Sequence, residues 1–430
     1  MNNQKYWILG ELNIIKKDED SFELVGGNGS LIDLDREAAI AILTLNGEAN
    51  FDRWQEDLKD YNIKTTLSEL KELLFLLNKN GLVEVKDIKL ERMDYKQVIQ
   101  NIDEYKKGPV GISNVTISLT YECPYSCIYC LRYPIKVGKP IEAKYVEDAI
   151  NDIGELGGKL LTLTGGEPEL ESQLLKKYVR AARNAQIQSI SLATRGYGIA
   201  EDLLEDLKEE GLTDVVISLD SSNESQDKIS GYKGAFKIAI SAIETSKHVG
   251  LRTSINFTCY GPNISEIKPT AELAKKYEVR MKVTPYILRN NLSPLTVEET
   301  KEIERILKFS EQEGMPVSCL SLKEAATSYD TPMICEAGVT RAHVEVDGNV
   351  SGCQFVAYNP KAIVGNIKDG FLNLWLNGDW SFYRDAEPIN KKCGSCVDRK
   401  YCIRNCLAVA DALYNDPKMI NIPKCKNKLD

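Results

Sequence analysis

Cys123-Pro-Tyr-Ser-Cys127-Ile-Tyr-Cys130 decides how the rest of this chain is read. Three thiols fall within eight residues, and no fourth cysteine or histidine stands beside them. A closed structural metal site takes four protein ligands, whereas a reactive one keeps a position open. An iron–sulfur cluster held by three cysteines leaves one iron free for a small molecule, so the cluster becomes a reagent as well as an electron carrier. The C-x3-C-x2-C order therefore points to a metal centre with a deliberate vacancy.

The composition supports metal ligation over disulfides. The chain has 430 residues, 12 cysteines and 2 histidines, His248 and His343, neither of them inside a cysteine cluster. Secreted disulfide scaffolds are short, and the opening Met1-Asn-Asn-Gln-Lys-Tyr-Trp lacks the basic-then-apolar pattern of a signal peptide. No run approaches the roughly 18 apolar residues that span a bilayer, so a cytoplasmic protein with no membrane partner is expected. Scarce histidine disfavours mixed Cys/His zinc sites and favours iron–sulfur ligation. A net charge of −9 argues against nucleic acid as the partner. The length predicts two or three domains.

The middle of the chain alternates short apolar, β-branched runs with helical stretches. Strands are predicted at Val115–Thr120, Leu160–Thr164, Ser189–Thr194, Asp214–Leu219, Arg252–Thr258 and Arg280–Pro285. Between the first two, Val146, Ile150, Ile153 and Leu156 recur at helical spacing. Repeated β-then-α units make a parallel sheet, here a partial (β/α)6 TIM barrel of the α/β class, with ligands gathered at the carboxyl ends of the strands. The three-cysteine loop follows the first strand. Thr164-Gly165-Gly166-Glu167-Pro168 follows the second, where two glycines admit a close ligand and Glu167 can accept from an ammonium group. Ala193-Thr194-Arg195-Gly196 ends the third strand and Ile217-Ser218-Leu219-Asp220 the fourth.

The C-terminal third carries a second pattern. Cys335 is followed by Gly348 and Cys353, then by Cys393, Cys396, Cys402, Cys406 and finally Cys425. A zinc ribbon explains Cys393 and Cys396 and leaves the other five without a role.

Taken together, the cysteine loop and the Gly-Gly-Glu segment resemble the radical S-adenosylmethionine (radical SAM) family. The C-terminal pattern is similar to the seven-cysteine signature of SPASM domains. The resemblance implies that Cys123, Cys127 and Cys130 bind a 4Fe-4S cluster whose free iron chelates SAM. It implies that Gly165, Gly166 and Glu167 meet the methionine amino group, with Tyr129, Thr194 and Ser218 as further cofactor contacts. By the same resemblance Cys393, Cys396, Cys402 and Cys425 hold a distal auxiliary cluster, and Cys335, Cys353 and Cys406 a proximal one, making three 4Fe-4S clusters. The proximal cluster is one ligand short; Cys319 is a candidate fourth, whereas Cys259 reads as a core residue. Two positions depart from the family pattern. Arg195 replaces the usual asparagine, and Ser230 stands where relatives pair an arginine with the SAM carboxylate; Lys228, Lys233 or Arg195 could compensate.

Residues 1–95 read as a winged-helix-like α+β domain. The expected strands are Leu12–Lys17, Phe22–Val25 and Ser30–Leu34, and the expected helices Arg36–Leu45, Phe51–Asp60 and Leu67–Lys79. The last helix opens with a capping box, Thr66-Leu-Ser-Glu69, and carries the apolar stripe Leu70, Leu73, Leu74, Leu77. The segment holds 12 Lys and Arg against 19 Asp and Glu, a net −7, which is wrong for a DNA-binding wing. It resembles the leader-recognition elements of enzymes that modify ribosomally made peptides, which add the leader as a strand beside the third strand. The expected layout is a recognition domain at 1–95, a linker at 96–112, the radical SAM barrel at 113–310 and the SPASM domain at 311–430.

The activity implied is a radical cross-link, thioether or carbon–carbon, made in a precursor peptide by a 5′-deoxyadenosyl radical, with flavodoxin or ferredoxin as reductant. A peptide epimerase, a sulfatase-maturating enzyme and a multi-cluster electron carrier are the alternatives. The sequence names no catalytic base.

Overall fold

In a computed structural model, residues 6–9, 12–26, 31–45, 47–48, 50–86, 96–100, 102–103, 108–130, 139–286, 295–319, 336–384, 406–408 and 411 are described. The N-terminal part contains β1 (Tyr6–Leu9), β2 (Leu12–Lys16), β3 (Ser21–Gly26), β4 (Leu31–Asp35), α1 (Arg36–Thr44), β5 (Gly47–Glu48), α2 (Phe51–Lys59), α3 (Leu67–Lys79), β6 (Val83–Lys86), α4 (Lys96–Gln100) and β7 (Gly108–Val110). The charged Asp18-Glu-Asp20 turn sends β3 back along β2, and β4 pairs antiparallel with β3. Alternation then puts Ile14, Phe22, Leu24 and Leu34 on the buried face. Against them pack Ile40 and Ile42 of α1, Leu58 of α2, and Leu70 and Leu77 of α3. Each such side chain contributes about 1.5–3 kcal/mol by leaving water. The capping box at α3 forms: Thr66 N–H donates to the Glu69 carboxylate (2.7 Å), and Glu69 N–H to Thr66 Oγ1 (3.3 Å).

The stretch 96–112, expected to be a linker, is built into this part. Ile99 and Ile102 belong to its core, and β7 pairs with β2. The buried Lys16 ammonium donates to the carbonyls of Ile102 (3.2 Å) and Asp103 (3.1 Å). Arg36 grips the Asp103 carboxylate with two bonds of 2.7 Å. A three-residue strand containing Pro109 has too few residues to show a period. A second sheet, β5-β1-β6, also escapes sequence reading, because β1 finds its partner more than seventy residues away.

The barrel strands are β8 (Asn114–Ser118), β9 (Leu160–Thr164), β10 (Ser189–Thr194), β11 (Asp214–Ser218), β12 (Arg252–Cys259), β13 (Arg280–Pro285) and β14 (Val317–Cys319). Between them lie α5 (Ala143–Glu155), α6 (Ser172–Asn184), α7 (Glu201–Glu210), α8 (Ser225–Ser230), α9 (Ala235–His248), α10 (Ile267–Lys276) and α11 (Val297–Gln312). Every neighbouring pair from β8 to β14 is parallel and in chain order, the arrangement a repeated right-handed crossover produces. Leu161, Leu163, Val215, Ile217, Ile255 and Phe257 turn one face of the sheet into the core beneath the helices. The six expected strands are present, and a seventh, β14, joins from the stretch assigned to 311–430.

Beyond it, β15 (Arg341–Val344) lies parallel on the other side of β8, followed by the antiparallel β16 (Asn349–Ser351) and β17 (Ile363–Asn366). A helix at Phe371–Asn377 buries Phe371, Leu374 and Trp375, and Leu372 N–H donates to Asp152 of α5 (2.9 Å). Cys335, Cys393, Cys396, Cys402 and Cys425 lie outside the described residues.

Candidate active site

All the chemistry-bearing loops meet at the carboxyl ends of β8 to β12. The chain leaves β8 into the cysteine loop, and the Gly-Gly-Glu segment after β9 is laid directly on it. Gly166 N–H donates to Thr120 O (2.7 Å) and Glu167 N–H to Glu122 O (2.9 Å). This approach is why glycine is needed: a Cβ on Gly166 would sit 2.1 Å from Glu122 O, and Gly165 has φ +142°. On its other side the loop is clamped by α8, through Ser126 N–H to Ser230 O (2.9 Å) and Ile128 N–H to Ile229 O (3.0 Å). Ser230 is thus buried under the loop, its hydroxyl turned back to Gln226 O (2.8 Å).

Cys123 is exposed, while Cys127 and Cys130 are partly buried, and the three thiols feel one another's charge. Burial pushes the Cys127 thiol up to about 11, opposed by the nearby Arg195 guanidinium. Among the described residues no three metal-ligating side chains converge as around a single ion. The all-thiol donor set of the loop is the chemistry iron–sulfur centres use.

Glu167 is 2% exposed. Its carboxylate accepts from the Thr194 hydroxyl (2.8 Å), from Arg195 N–H at both oxygens (3.1 Å) and from Tyr197 N–H (3.2 Å). Burial raises its pKa, and these donors oppose the rise. Thr194 therefore orients Glu167 from behind. Ser218 stands half-buried at the end of β11, one strand further along.

Beside it lies a buried network the sequence did not reveal. Asp220, fully buried after β11, accepts from the Arg195 guanidinium (2.9 Å), from Thr258 N–H (2.7 Å) and from the Tyr129 hydroxyl. Arg195 donates in turn to the Tyr129 oxygen and lies over the Tyr125 and Tyr129 rings at 5.9 and 5.7 Å from their centroids. Tyr129 is expected as a cofactor contact; its hydroxyl is held by this pair, and its ring adjoins Tyr260 and Tyr286. Of the three cations that could replace the missing arginine, Lys228 and Lys233 are exposed on the outside, and Arg195 alone is buried among the loops. Asp220 and Glu169 are the residues sequence reasoning passed over. The available signal was a strand-end aspartate on the strand next to an unexpected arginine.

The Radical SAM superfamily model matches residues 117–274, and the SPASM iron-sulfur cluster-binding domain model matches residues 335–397. The chain is a radical SAM enzyme. It is 27% identical over 328 residues to the PqqA peptide cyclase of Ruegeria pomeroyi, covering 73% of this chain and 86% of that one. It is 25% identical over 383 residues to the Fe-coproporphyrin III synthase of Methanosarcina barkeri, covering 78% and 93%. Among solved structures, Streptococcus suis SuiB bound to its precursor peptide SuiA superposes with a TM-score of 0.65 at 15% identity, covering 96% of this chain and 98% of that one. Radical SAM chemistry at these strand ends uses SAM and 4Fe-4S clusters. Among the described residues, no helix of this radical SAM enzyme is long and apolar enough to cross a membrane.

Proposed function

We propose that this radical SAM enzyme installs a cross-link, carbon–sulfur or carbon–carbon, in a ribosomally made precursor peptide. The observation that carries the reading is the N-terminal part, which combines a strand at the edge of its sheet with a helix bearing exposed apolar side chains. β4 is the outermost strand of its sheet among the described residues, so its outer backbone groups can pair with an added strand. On α3, Leu67, Leu76 and Phe75 are exposed, Phe75 at 69%. An extended leader on β4 with apolar side chains against α3 fits both features. The peptide cyclase likeness supports a peptide over the tetrapyrrole that the synthase's name indicates.

In this reading Cys123, Cys127 and Cys130 hold the SAM-binding cluster. Cys393, Cys396, Cys402 and Cys425 hold one auxiliary cluster, and Cys335, Cys353 and Cys406 the other. When bound, the first cluster supplies the electron that cleaves SAM to methionine and a 5′-deoxyadenosyl radical. The chain's own residues do the rest. Gly165 and Gly166 admit the methionine end of SAM, Glu167 pairs with its ammonium, Ser218 meets it from β11, and Arg195 provides the cation facing its carboxylate. Tyr129 is fixed through Asp220, so the cysteine loop and the SAM end share one rigid frame.

The test is anaerobic reaction of the reconstituted enzyme with candidate precursor peptides, with dithionite or flavodoxin as reductant. Cross-linking gives 5′-deoxyadenosine together with a peptide lighter by two hydrogen atoms per link. An unchanged peptide mass with solvent deuterium incorporated would establish epimerisation instead. Turnover with a porphyrin but no peptide would overturn the reading.

A further inference from the structure

Behind Glu167 sits a second carboxyl, Glu169, only 6% exposed. Both reach the same hydroxyl: Thr194 Oγ1 is 2.8 Å from Glu167 Oε2 and in close contact with Glu169 Oε1. The same oxygen also accepts from Gly196 N–H (2.7 Å). A hydroxyl has one proton to give and two lone pairs. With Gly196 on one lone pair, Thr194 can donate to only one carboxylate. The other contact would be oxygen against oxygen, buried and uncompensated, unless the second carboxyl brings its own proton.

The surroundings decide which carboxyl that is. Glu167 has three donors, from Thr194, Arg195 N–H and Tyr197 N–H, the pattern of an anion. Glu169 has Thr194 and its own backbone N–H beside it, and its Oε2 is buried without a hydrogen-bond partner among the described residues. An ionised carboxylate so poorly supplied with donors is disfavoured by burial, and it would repel Glu167 as well. Among the described residues, the charged and titratable groups facing Glu169 are Glu167 from the same loop and Tyr125 from the cysteine loop, and no cation is among them.

We infer that Glu169 is held as its neutral acid and donates to Thr194, so that Thr194 donates to Glu167 and fixes it as the single anion of the SAM ammonium site. The inference rests on Glu167 being the partner of the ammonium group, and it makes Glu169 a positioning residue one bond behind it. No electron or bond changes hands; one proton stays on Glu169 Oε1. Two negative charges there would overbind an ammonium and split the loop, whereas one charge with a fixed orientation matches the monocation.

Infrared spectroscopy of the reconstituted holoenzyme tests the proton directly, with or without SAM and independently of any peptide. Wild type is expected to show a protonated-carboxyl C=O band at neutral pH, downshifted in deuterium oxide, that E169Q removes. Equilibrium dialysis with SAM supplies the second readout. Because Gln can donate to Thr194 as the acid does, E169Q stays within about threefold of wild type, while E169A weakens binding about tenfold. Absence of the band in wild type, its survival in E169Q, or equal weakening by E169Q and E169A would overturn the inference. If E169A fails to fold, the band in wild type and E169Q still decides. If SAM binding does not involve Glu167 at all, Glu167→Gln binds SAM normally while the Glu169 band persists, which separates the two failures.

Discussion

Replacing Asp220 by asparagine tests whether the buried Arg195–Asp220 pair is what holds the cysteine loop to the barrel. The change is nearly isosteric. The asparagine oxygen can still accept from Thr258 N–H, now 2.7 Å from Asp220 Oδ1. Its amide nitrogen then faces Arg195 Nη2, donor against donor, in a place where Asp220 is 0% and Arg195 8% exposed. Removing one member of a buried ion pair strands the other in low dielectric and costs about 3–5 kcal/mol. That is a fifth or more of the roughly 5–15 kcal/mol stabilising a typical domain. Arg195→Gln strands Asp220 and should cost a similar amount. The double variant strands neither, so it should recover part of the loss, a coupling of about 0.5–3 kcal/mol. Urea unfolding of the anaerobic holoenzyme, followed by far-ultraviolet circular dichroism, measures all three. A loss under about 1 kcal/mol for Asp220→Asn, the worth of an ordinary neutral hydrogen bond, would refute the reasoning, as would strictly additive single losses.

Changing Cys123, Cys127 and Cys130 together to alanine should remove one cluster's worth of iron and all 5′-deoxyadenosine formation, while the electron paramagnetic resonance signals of the C-terminal clusters remain. Gly166→Ala, whose Cβ would meet Glu122 O at 2.1 Å, should lower SAM-cluster iron loading, read by iron analysis after reconstitution; full loading would show that the loop gives way. Phe75→Ser, at a side chain 69% exposed, should leave the unfolding midpoint unchanged and weaken leader-peptide affinity about tenfold by fluorescence polarisation. Burial raises the Glu167 pKa, so its anion is lost at a higher pH than that of an exposed carboxylate. SAM affinity should therefore fall on acidification at a higher pH than an exposed carboxylate would give, measured by titration calorimetry across the acid range.

How much of this was legible depended on how local the cause was. The strand Leu160–Thr164 could be read because Leu161 and Leu163 alternate with threonines and two glycines follow. Helix Leu67–Lys79 could be read because its cap and stripe are both local. The seventh strand, Val317–Cys319, could not, since three residues show no period and its partner β13 lies some thirty-five residues back. The Asp220–Arg195 pair was hidden for another reason. Each residue is a departure or an ordinary polar residue alone, and they meet only because β10 and β11 are adjacent in parallel register. Glu169 is in sequence one acid following Pro168, and only its burial against Thr194 makes it unusual.

The junction between the N-terminal part and the barrel bears on how a leader bound as proposed would present its core segment. Val110 packs against the cores of both, and the chain turns immediately afterwards at Gly111, with φ +84°. A Cβ there would lie 2.9 Å from Leu156 O at the end of α5. Ile112 N–H then donates to that same carbonyl (3.0 Å), and Ser113 N–H donates to Thr340 O (2.9 Å) just ahead of β15. Within four residues the chain is therefore tied to the N-terminal sheet, to a barrel helix and to the C-terminal strands. A flexible tether would let a bound leader raise only the local concentration of its core segment. On the proposed reading, a junction fixed to three bodies would do more, because it would set the direction from which the peptide approaches the strand ends. Leader length then becomes a geometric variable: inserting residues between leader and core should move the cross-link along the peptide, rather than merely slow it.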